Sequence, residues 1–331
     1  MGALMTERVY VTQPIAASAA KRLRQVARVT ANPDSSRPLA KKNLVAAVKK
    51  ADILFSLLHD RVDRDVLVAN PKLRAVCSMA ITPDAIDVGE ATSRGIPVTV
   101  VPPIVGEATA DLNLGLMIAV ARRMRDGDRL LRKGGFPGAQ SNHLAGAAVS
   151  GKVLGLIGGG GRIGRAVAKR AHGFSMEVLY WSPRRKPERD EKDFGISYVP
   201  FEELLARSDF VSLHPPLNEQ TRHMISDREF ALMKPTAFLI NTARGPIVDE
   251  AALIHALAKK RIAGAGLDVF ENEPKVAMAL RKMRNVVLTP HMGSAVASLR
   301  EVMANIVVDN VVAILGGRPP PNCVNPTVFD R

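Results

Sequence analysis

The chain has 331 residues, 47% of them hydrophobic and 24% charged, which is ordinary globular composition and a length sufficient for two domains. Two cysteines, Cys77 and Cys323, exclude a disulfide framework, and no apolar run of about 20 residues predicts a membrane span. The formal net charge of +14 fits a solvated basic surface or the steering of anionic ligands. Because the basic residues are scattered without a nucleic-acid-reading motif, we expect no nucleic-acid partner.

Short apolar runs alternate with helix-like stretches over the first hundred residues. A helical pattern covers residues 39–50. The apolar runs, which have the length of buried strands, cover residues 9–11, 26–29, 53–58, 73–79 and 97–101. Strands that alternate with helices in this way are typical of a doubly wound parallel sheet.

A second series of strand-like runs follows a helical pattern over residues 106–125 and a stretch, 133–150, that we expect to be a loop. Its six runs cover residues 153–157, 177–181, 210–213, 237–241, 264–269 and 285–289. Six short strands at this spacing predict a dinucleotide-binding sheet. A last helical pattern, residues 294–315, stops at Gly316-Gly317, a typical helix terminus.

Four consecutive glycines follow the first strand of the second series. The G-x-G-x-x-G spacing is met by Gly159, Gly161 and Gly164, after a strand and before a helix. Glycines there permit a tight turn and a close approach of a pyrophosphate to the amides of the helix start. The segment therefore predicts a dinucleotide site.

The end of the next strand bears on the choice of dinucleotide. An acidic residue there would hydrogen-bond the ribose 2′-hydroxyl of NAD. Here the strand is followed by Ser182-Pro183-Arg184-Arg185-Lys186, without an acid, and such a basic cluster would neutralise a 2′-phosphate. We therefore expect NADP(H) to be preferred, with NAD(H) possible, although a solvated basic turn would have the same sequence.

Three segments after later strands carry groups suited to ketone reduction. Arg244 follows the fourth strand and could clamp a carboxylate with two hydrogen bonds. A carboxylate such as Glu271 or Glu273 could hold an imidazolium, that of His291 for example, ready to give a proton to a ketone. The fold has to make this pairing, because Glu273 and His291 are 18 positions apart (291 − 273).

These segments resemble the D-2-hydroxyacid dehydrogenase family, and within it the glyoxylate and hydroxypyruvate reductases. The resemblance rests on Asn241-Thr242-Ala243-Arg244-Gly245, Asp268-Val269-Phe270-Glu271-Asn272-Glu273-Pro274 and Thr289-Pro290-His291-Met292-Gly293-Ser294. It implies an α/β fold with a Rossmann dinucleotide-binding domain over residues 104–291. It also implies a flavodoxin-like substrate domain over residues 1–103 and 292–331, with a cleft between the domains.

The resemblance also implies catalytic roles. Arg244 would hold the substrate carboxylate and polarise the keto oxygen. Glu273, which stands before Pro274 as in the family, would orient His291 and favour its protonated form. His291 would then protonate the oxygen as hydride arrives. The activity implied is the NADPH-dependent reduction of a small 2-ketoacid, glyoxylate or hydroxypyruvate.

Further positions match the binding residues of the family. Those expected at the dinucleotide are Thr109, Gly159, Gly160, Gly161, Arg162, Ile163, Ser182, Arg184, Arg185, His214, Pro215, Thr242, Ala243, Asp268 and Ser294. Those expected at the substrate are Leu57, Ala80, Ile81, Thr82, Arg244 and His291. The chain departs from the family at Thr82-Pro83, where a glycine is common, and at Gly158, which makes the glycine loop one residue longer.

Alternatives to these assignments follow from the same residues. His59 is the main rival of His291 as proton donor, and His214 is expected to be a packing or adenosine-side contact. The motifs also fit a dehydrogenase of a bulkier 2-hydroxyacid. They fit equally a dinucleotide-sensing binding protein that resembles the C-terminal-binding corepressors.

The sequence also bears on metal binding, self-association and cellular location. No His, Cys or Asp cluster has metal-ligand spacing, so we expect no metal. The helical run 106–125 with the loop to residue 150 has the position of the family's dimer contact, and we expect a homodimer. The first 11 residues lack the basic-then-apolar order of a signal peptide, so we expect a cytoplasmic protein without a membrane partner.

Overall fold

A computed structural model describes residues 7–34 and 36–330. Residues 1–6 and 331, at the outer ends of the predicted substrate domain, and Ser35 lie outside the described residues. The chain forms two units, one made of the residues up to 104 with those from 295 onward, the other of residues 105–294.

The first unit contains a five-stranded parallel sheet. Its strands are β1 (Arg8–Val11), β2 (Arg28–Ala31), β3 (Ile53–Ser56), β4 (Ala75–Ser78) and β5 (Val98–Thr99). Its helices before residue 105 are α1 (Ala17–Arg24), α2 (Lys41–Val48), α3 (Arg64–Val68) and α4 (Val88–Ser93). The strand order β2-β1-β3-β4-β5 confirms the predicted flavodoxin-like arrangement.

Strands β3 and β4 at the centre of this sheet are buried along their whole length, as expected where helices cover both faces of a parallel sheet. Strand β2 begins two residues later than the apolar run 26–29 predicts. The reason is that the amides of Val26 and Ala27 close the end of α1 on the carbonyl of Leu23.

The second unit contains a seven-stranded parallel sheet. Its strands are β6 (Val153–Ile157), β7 (Glu177–Trp181), β8 (Ser197–Tyr198), β9 (Phe210–Leu213), β10 (Phe238–Asn241), β11 (Gly264–Leu267) and β12 (Val286–Leu288). Its helices are α5 (Gly106–Ala121), α6 (Met124–Arg132), α7 (Arg162–His172), α8 (Glu188–Phe194), α9 (Phe201–Arg207), α10 (Asp227–Leu232), α11 (Glu250–Ala258) and α12 (Met278–Lys282). A 3₁₀ turn spans Gly245–Ile247.

The strand order of this sheet, β12-β11-β10-β9-β6-β7-β8, reverses between β6 and β9. In open α/β sheets, ligands bind outside the carboxyl ends of the strands at such a reversal. Six of the strands confirm the predicted runs. Strand β8 was not predicted, because a two-residue edge strand leaves no apolar run in the sequence.

The helical run 106–125 is interrupted. Arg123 adopts the left-handed region with φ of +52°, which ends α5 and starts a separate helix, α6. Residues 133–150 form neither helix nor strand, as predicted. Met124, Leu131 and Phe136 of this region are exposed, and the homodimer expected here stays a prediction.

The last helix, α13 (Ala297–Leu315), belongs to the first unit. Arg22 of α1 donates to Asn305 and Asp309 of α13 at 2.7 and 2.6 Å. The chain after α13 then pairs antiparallel with the edge strand β5, where the amide of Val324 donates to the carbonyl of Val98 at 2.9 Å. A 3₁₀ turn, Pro326–Phe329, follows.

The second unit ends at residue 294, whereas the sequence placed this boundary after His291. The difference has a local cause, because the amides of Met292 and Gly293 donate to the carboxylate of Asp268 inside the second unit. Among the helices of the described residues, none combines the length and the apolar character that a membrane crossing requires.

Candidate active site

The glycine loop connects β6 to α7 where the strand order reverses. Gly158 has a φ of +80°, and a Cβ there would come 2.8 Å from the amide nitrogen of Pro215. A Cβ at Gly159 would come 2.7 Å from the Cβ of Tyr180, and one at Gly164 would come 2.6 Å from the Cα of Gly159. The additional glycine, Gly158, therefore occupies a position that only glycine fits.

The start of α7 offers amide groups to a phosphate. Gly161 is its N-cap and no described side chain caps it, whereas Asp249 caps α11 by accepting from two amides. Uncapped first-turn amides and the positive end of a helix dipole together favour a bound phosphate. The glycine cradle and this helix end fit the pyrophosphate of a dinucleotide.

The two arginines of the basic turn after β7, residues 182–187, differ in their partners. Arg185 makes two hydrogen bonds of 2.8 Å to Glu191 of α8, and this pairing lowers the pKa of Glu191 to about 2. Arg184 is exposed, and its carbonyl accepts from Ser182 Oγ at 2.6 Å. Within the described chain no carboxylate pairs with Arg184, so its guanidinium is the one available to an anion.

A buried polar network joins α5 to the carboxyl ends of β9 and β10. Asn113 Nδ2 donates to Ser212 Oγ at 2.9 Å and to Thr242 Oγ1 at 3.0 Å. Ser212 Oγ in turn lies 3.0 Å from His214 Nε2. Asn113 and Ser212 had no predicted role; their signal in the sequence is a polar residue inside an otherwise apolar helix or strand.

His214 follows β9, and its backbone packs against Gly158 of the glycine loop. Part of the residue is exposed, but Nδ1 is buried and has no hydrogen-bond partner among the described residues. Burial lowers the pKa of the ring to about 3. His214 is therefore neutral near pH 7, which agrees with a contact residue rather than a proton donor.

Arg244 follows β10 in a turn that Asn241 stabilises, since Asn241 Nδ2 donates to the carbonyl of Arg244 at 3.0 Å. The next residue, Gly245, packs against the backbone of residues 270–271 so closely that a Cβ would overlap it. The turn that carries Arg244 is therefore in direct contact with the segment that carries Glu273.

Glu273 and His291 form the pair that the family resemblance implies. His291 Nδ1 lies 2.8 Å from Glu273 Oε2, and both side chains are 20% exposed. The other carboxylate oxygen accepts from the amide of Phe270 at 3.0 Å. Because Nδ1 faces Glu273, Nε2 lies on the opposite edge of the ring.

Asp268 holds the backbone around His291. Its buried carboxylate accepts from Thr289 Oγ1 at 2.6 Å and from the amides of Met292 and Gly293 at 2.8 and 2.9 Å. Burial raises the pKa of this carboxyl, and the three donors oppose that rise. Asp268 was predicted at the dinucleotide, and its carboxylate is engaged within the protein.

Thr109 contacts the segment that carries His291, residues 289–293, whereas Glu271 contacts a different histidine. Thr109 of α5 contacts this segment, since a Cβ at Gly293 would come 3.2 Å from Thr109 Oγ1. Glu271, the alternative carboxylate, lies 2.6 Å from His223 Nε2 and accepts from the amide of Glu250 at 3.2 Å. It therefore forms a separate histidine pair.

The other residues predicted at the substrate lie in the first unit, at the carboxyl ends of the neighbouring strands β3 and β4. The amide of Leu57 donates to the buried carboxylate of Asp60 at 2.7 Å, and Thr12 Oγ1 donates to the same oxygen. Burial raises the pKa of Asp60. Sequence reasoning missed Asp60, whose only signal was an acid in a strand-end loop.

The segment after β4 carries Ala80, Ile81 and Thr82. The amide of Ala80 donates to Ser78 Oγ at 3.1 Å, and Thr82 Oγ1 donates to the carboxylate of Asp84 at 2.8 Å. Thr82 therefore ties the unusual Thr82-Pro83 turn to Asp84. The assignment of these residues and of Leu57 to the substrate stays a prediction.

Known proteins resemble the chain over nearly its whole length. The sequence model of "D-isomer specific 2-hydroxyacid dehydrogenase, NAD binding domain" matches residues 114–293. A glyoxylate reductase of Thermococcus litoralis is 44% identical over 329 residues, which cover 98% of each chain. A glyoxylate reductase of Korarchaeum cryptofilum is 46% identical over 326 residues, which cover 98% of this chain and 97% of that one.

A solved structure with similar coverage is an NADPH-dependent glyoxylate/hydroxypyruvate reductase from Sinorhizobium meliloti. It is 30% identical with a TM-score of 0.77, and the match covers 97% of this chain and 98% of that one.

His214 should make the stability of the protein depend on pH. Its folded pKa of about 3 lies below the ordinary 6.5, so the unfolded chain takes up a proton that the folded chain does not. The free energy of unfolding should therefore fall as the pH drops below about 6.5, by at most about 1.4 kcal/mol per pH unit. In urea unfolding at about pH 7 and about pH 5, His214→Gln should remove this part of the fall.

The control is His143→Gln, which changes an exposed histidine of the loop 133–150. It should keep the pH dependence of the unsubstituted protein. A His214→Gln variant whose unfolding free energy falls in parallel with that of the unsubstituted protein would contradict the prediction.

Proposed function

This chain belongs to the D-isomer specific 2-hydroxyacid dehydrogenase family, and we propose that it uses NADPH to reduce a small 2-ketoacid, glyoxylate or hydroxypyruvate. The observation that carries the proposal is the 2.8 Å pair of Glu273 and His291, beside the turn of Arg244. Relatives named glyoxylate reductase, 44% and 46% identical over almost the whole chain, support the choice of substrate.

Arg244 binds the substrate. Its planar guanidinium can take a carboxylate through two parallel hydrogen bonds and draw electron density from the adjacent keto oxygen. The Asn241 bond and the contact of Gly245 with residues 270–271 restrict the backbone around this side chain. The ketoacid is thereby oriented with its carbonyl toward the histidine, which is the positioning that the reaction needs.

His291 transfers the proton. When protonated, it donates from Nε2 to the keto oxygen as negative charge develops there, while Glu273 accepts the hydrogen bond from Nδ1. The carboxylate stabilises the charged ring before the reaction and orients it. In the opposite direction the neutral ring takes the proton from the hydroxyl of the 2-hydroxyacid.

The glycine loop and the start of α7 hold the dinucleotide through its pyrophosphate. The nicotinamide, when bound, supplies the hydride. Arg184 meets the 2′-phosphate that distinguishes NADPH from NADH, because Arg185 is engaged with Glu191 and Arg184 is not. The NADPH-dependent relative from Sinorhizobium meliloti supports this preference.

The test of the proposal is a spectrophotometric screen of 2-ketoacids with NADPH and with NADH. We expect turnover of glyoxylate or hydroxypyruvate with NADPH, and faster than with bulkier ketoacids. A protein that binds dinucleotide but turns over no 2-ketoacid would instead support the role of a dinucleotide-sensing binding protein.

Arg244→Lys should lower kcat/KM for the ketoacid at least about tenfold, equivalent to roughly 1.4 kcal/mol. The lysine keeps the charge but loses the planar two-point clamp. Steady-state kinetics with NADPH measure the change, and Arg222→Lys, at an exposed position, is the matched control. Unchanged kinetics in Arg244→Lys would remove this residue from the mechanism.

His291→Ala should reduce kcat by about 10²-fold or more while dinucleotide binding is retained, because only the proton donor is lost. Glu273→Gln should lower kcat by a smaller factor, since the amide replaces the carboxylate that orients the ring. Steady-state rates, with dinucleotide titrations, show both effects.

The second histidine pair provides the matched controls. His223→Ala and Glu271→Gln alter a His–Glu contact of 2.6 Å in the same unit and should leave kcat nearly unchanged. If His59→Ala cripples reduction and His291→Ala does not, the assignment of the proton donor is wrong.

Arg184→Ala should raise the KM for NADPH about tenfold and leave the KM for NADH nearly unchanged, because only NADPH carries the 2′-phosphate. Steady-state kinetics with both dinucleotides measure the two constants. Arg189→Ala, which removes an exposed arginine of α8, is the control for charge alone. An Arg184→Ala variant that keeps its preference for NADPH would show that this residue only faces water.

A further inference from the structure

Arg185, Glu191 and Tyr180 form a brace next to the basic turn, and the assignment of Arg185 to the dinucleotide stays a prediction. Its guanidinium spans both oxygens of Glu191 and lies 5.7 Å from the ring centroid of Tyr198. Glu191 also accepts from the hydroxyl of the buried Tyr180 at 2.7 Å. Strand β7 and helix α8 are joined through this one carboxylate.

The brace fixes the backbone of Lys186. Its amide donates to the hydroxyl oxygen of Tyr180 at 2.8 Å, so the phenol accepts from Lys186 and donates to Glu191. Burial raises the pKa of Tyr180 to about 12, and the phenol therefore stays protonated as this chain of bonds requires. The side chain of Lys186 thus starts from an anchored position.

The stem of Lys186 crosses the glycine loop at Gly160. The three atoms nearest to a Cβ placed on Gly160 all belong to Lys186: Cε would overlap it, and Cγ and Cδ would lie 2.7 and 3.1 Å away. The φ of Gly160 lies outside the left-handed region that favours glycine. A side chain at Gly160 would therefore meet the stem of Lys186, whereas the φ of Gly160 does not demand a glycine.

The charges around Gly160 are distributed unequally. Arg165 donates to the carbonyl of Gly160 at 3.1 Å and to Asp190 at 2.6 Å, and Arg185 is taken by Glu191. The acidic residues of α8 thereby neutralise two cations near the loop. Lys186 pairs with no carboxylate in the part of the chain that the structure describes.

We propose that Lys186 binds the pyrophosphate of the dinucleotide, and that Gly160 is a glycine so that the lysine stem can lie across the loop. The inference rests on the proposed dinucleotide function and adds a residue to its binding site. The loop under the stem is the one whose amides approach the pyrophosphate. A flexible lysine carries a compact charge to such a group, whereas Arg184 serves the 2′-phosphate.

The test compares equilibrium binding of NADPH, NADH and ADP to the full chain by isothermal titration. Lys186→Ala should weaken all three about tenfold and by a similar factor, because each carries the diphosphate. Arg184→Ala should weaken NADPH alone. Lys169→Ala, at an exposed lysine of α7, is the matched control and should change none of them.

A double-mutant cycle tests the role of Gly160. Gly160→Ala should weaken ADP binding in the unsubstituted protein, because the methyl group displaces the lysine stem, and should have little effect in Lys186→Ala. Gly161→Ala is the control in the same loop, since its Cβ would come 3.3 Å from Gly158 O and is not near Lys186. Its effect should be the same with and without Lys186.

Four other results would contradict the proposal or part of it. A loss confined to NADPH in Lys186→Ala would move the lysine to the 2′-phosphate, and no loss would remove it from the site. Additive effects of Gly160→Ala and Lys186→Ala would refute the steric link. An unsubstituted protein that binds neither dinucleotide would overturn the proposed function together with this inference.

Discussion

The buried carboxylate of Asp268 is the interaction on which the placement of His291 depends. It accepts from one hydroxyl and two amides on residues 289–293. The backbone carbonyl of Asp268 also accepts from the amide of His291 at 2.8 Å. A charged group so enclosed is costly unless it is hydrogen-bonded, so the segment cannot move without leaving the carboxylate unpaired. His291 keeps a φ of +52°, rare outside glycine, and this surrounding structure holds it there.

The pairing with Glu273 follows from that constraint. One oxygen of Glu273 is held by the amide of Phe270 and the other faces His291, so ring and carboxylate are each positioned by backbone groups as well as by one another. The Arg244 turn packs on the same segment through Gly245. Three chemically different groups thus share a rigid support at the carboxyl ends of neighbouring strands, where open α/β sheets bind their ligands.

Acidic residues organise the basic face of the glycine loop. The chain carries a formal charge of +14, yet Asp190 and Glu191 each hold an arginine that also touches or borders the loop. Their pairing leaves Arg162, Arg184 and Lys186 as cations near the loop for which the described chain shows no carboxylate partner. The cations near the loop therefore differ in their environment: some pair with carboxylates of α8, and others remain available to an anion.

The two sheets could be predicted because a buried parallel strand is a continuous apolar run, which is visible in the sequence. Strand β8 escaped because two edge residues make no run, and the break at Arg123 escaped because a single left-handed residue has no periodic signal. The His291–Glu273 pair was reached through family resemblance, since 18 residues separate its members.

By itself, the sequence determined the fold class, the position of the glycine loop and the basic character of the turn after β7, because these are properties of contiguous residues. Only the tertiary structure decided which cation is engaged and which carboxylate meets which histidine. Arg184 and Arg185 are neighbours of identical chemistry, and Glu271 and Glu273 differ by two positions. The direction of each side chain, set by the backbone and by the elements packed against it, separates them.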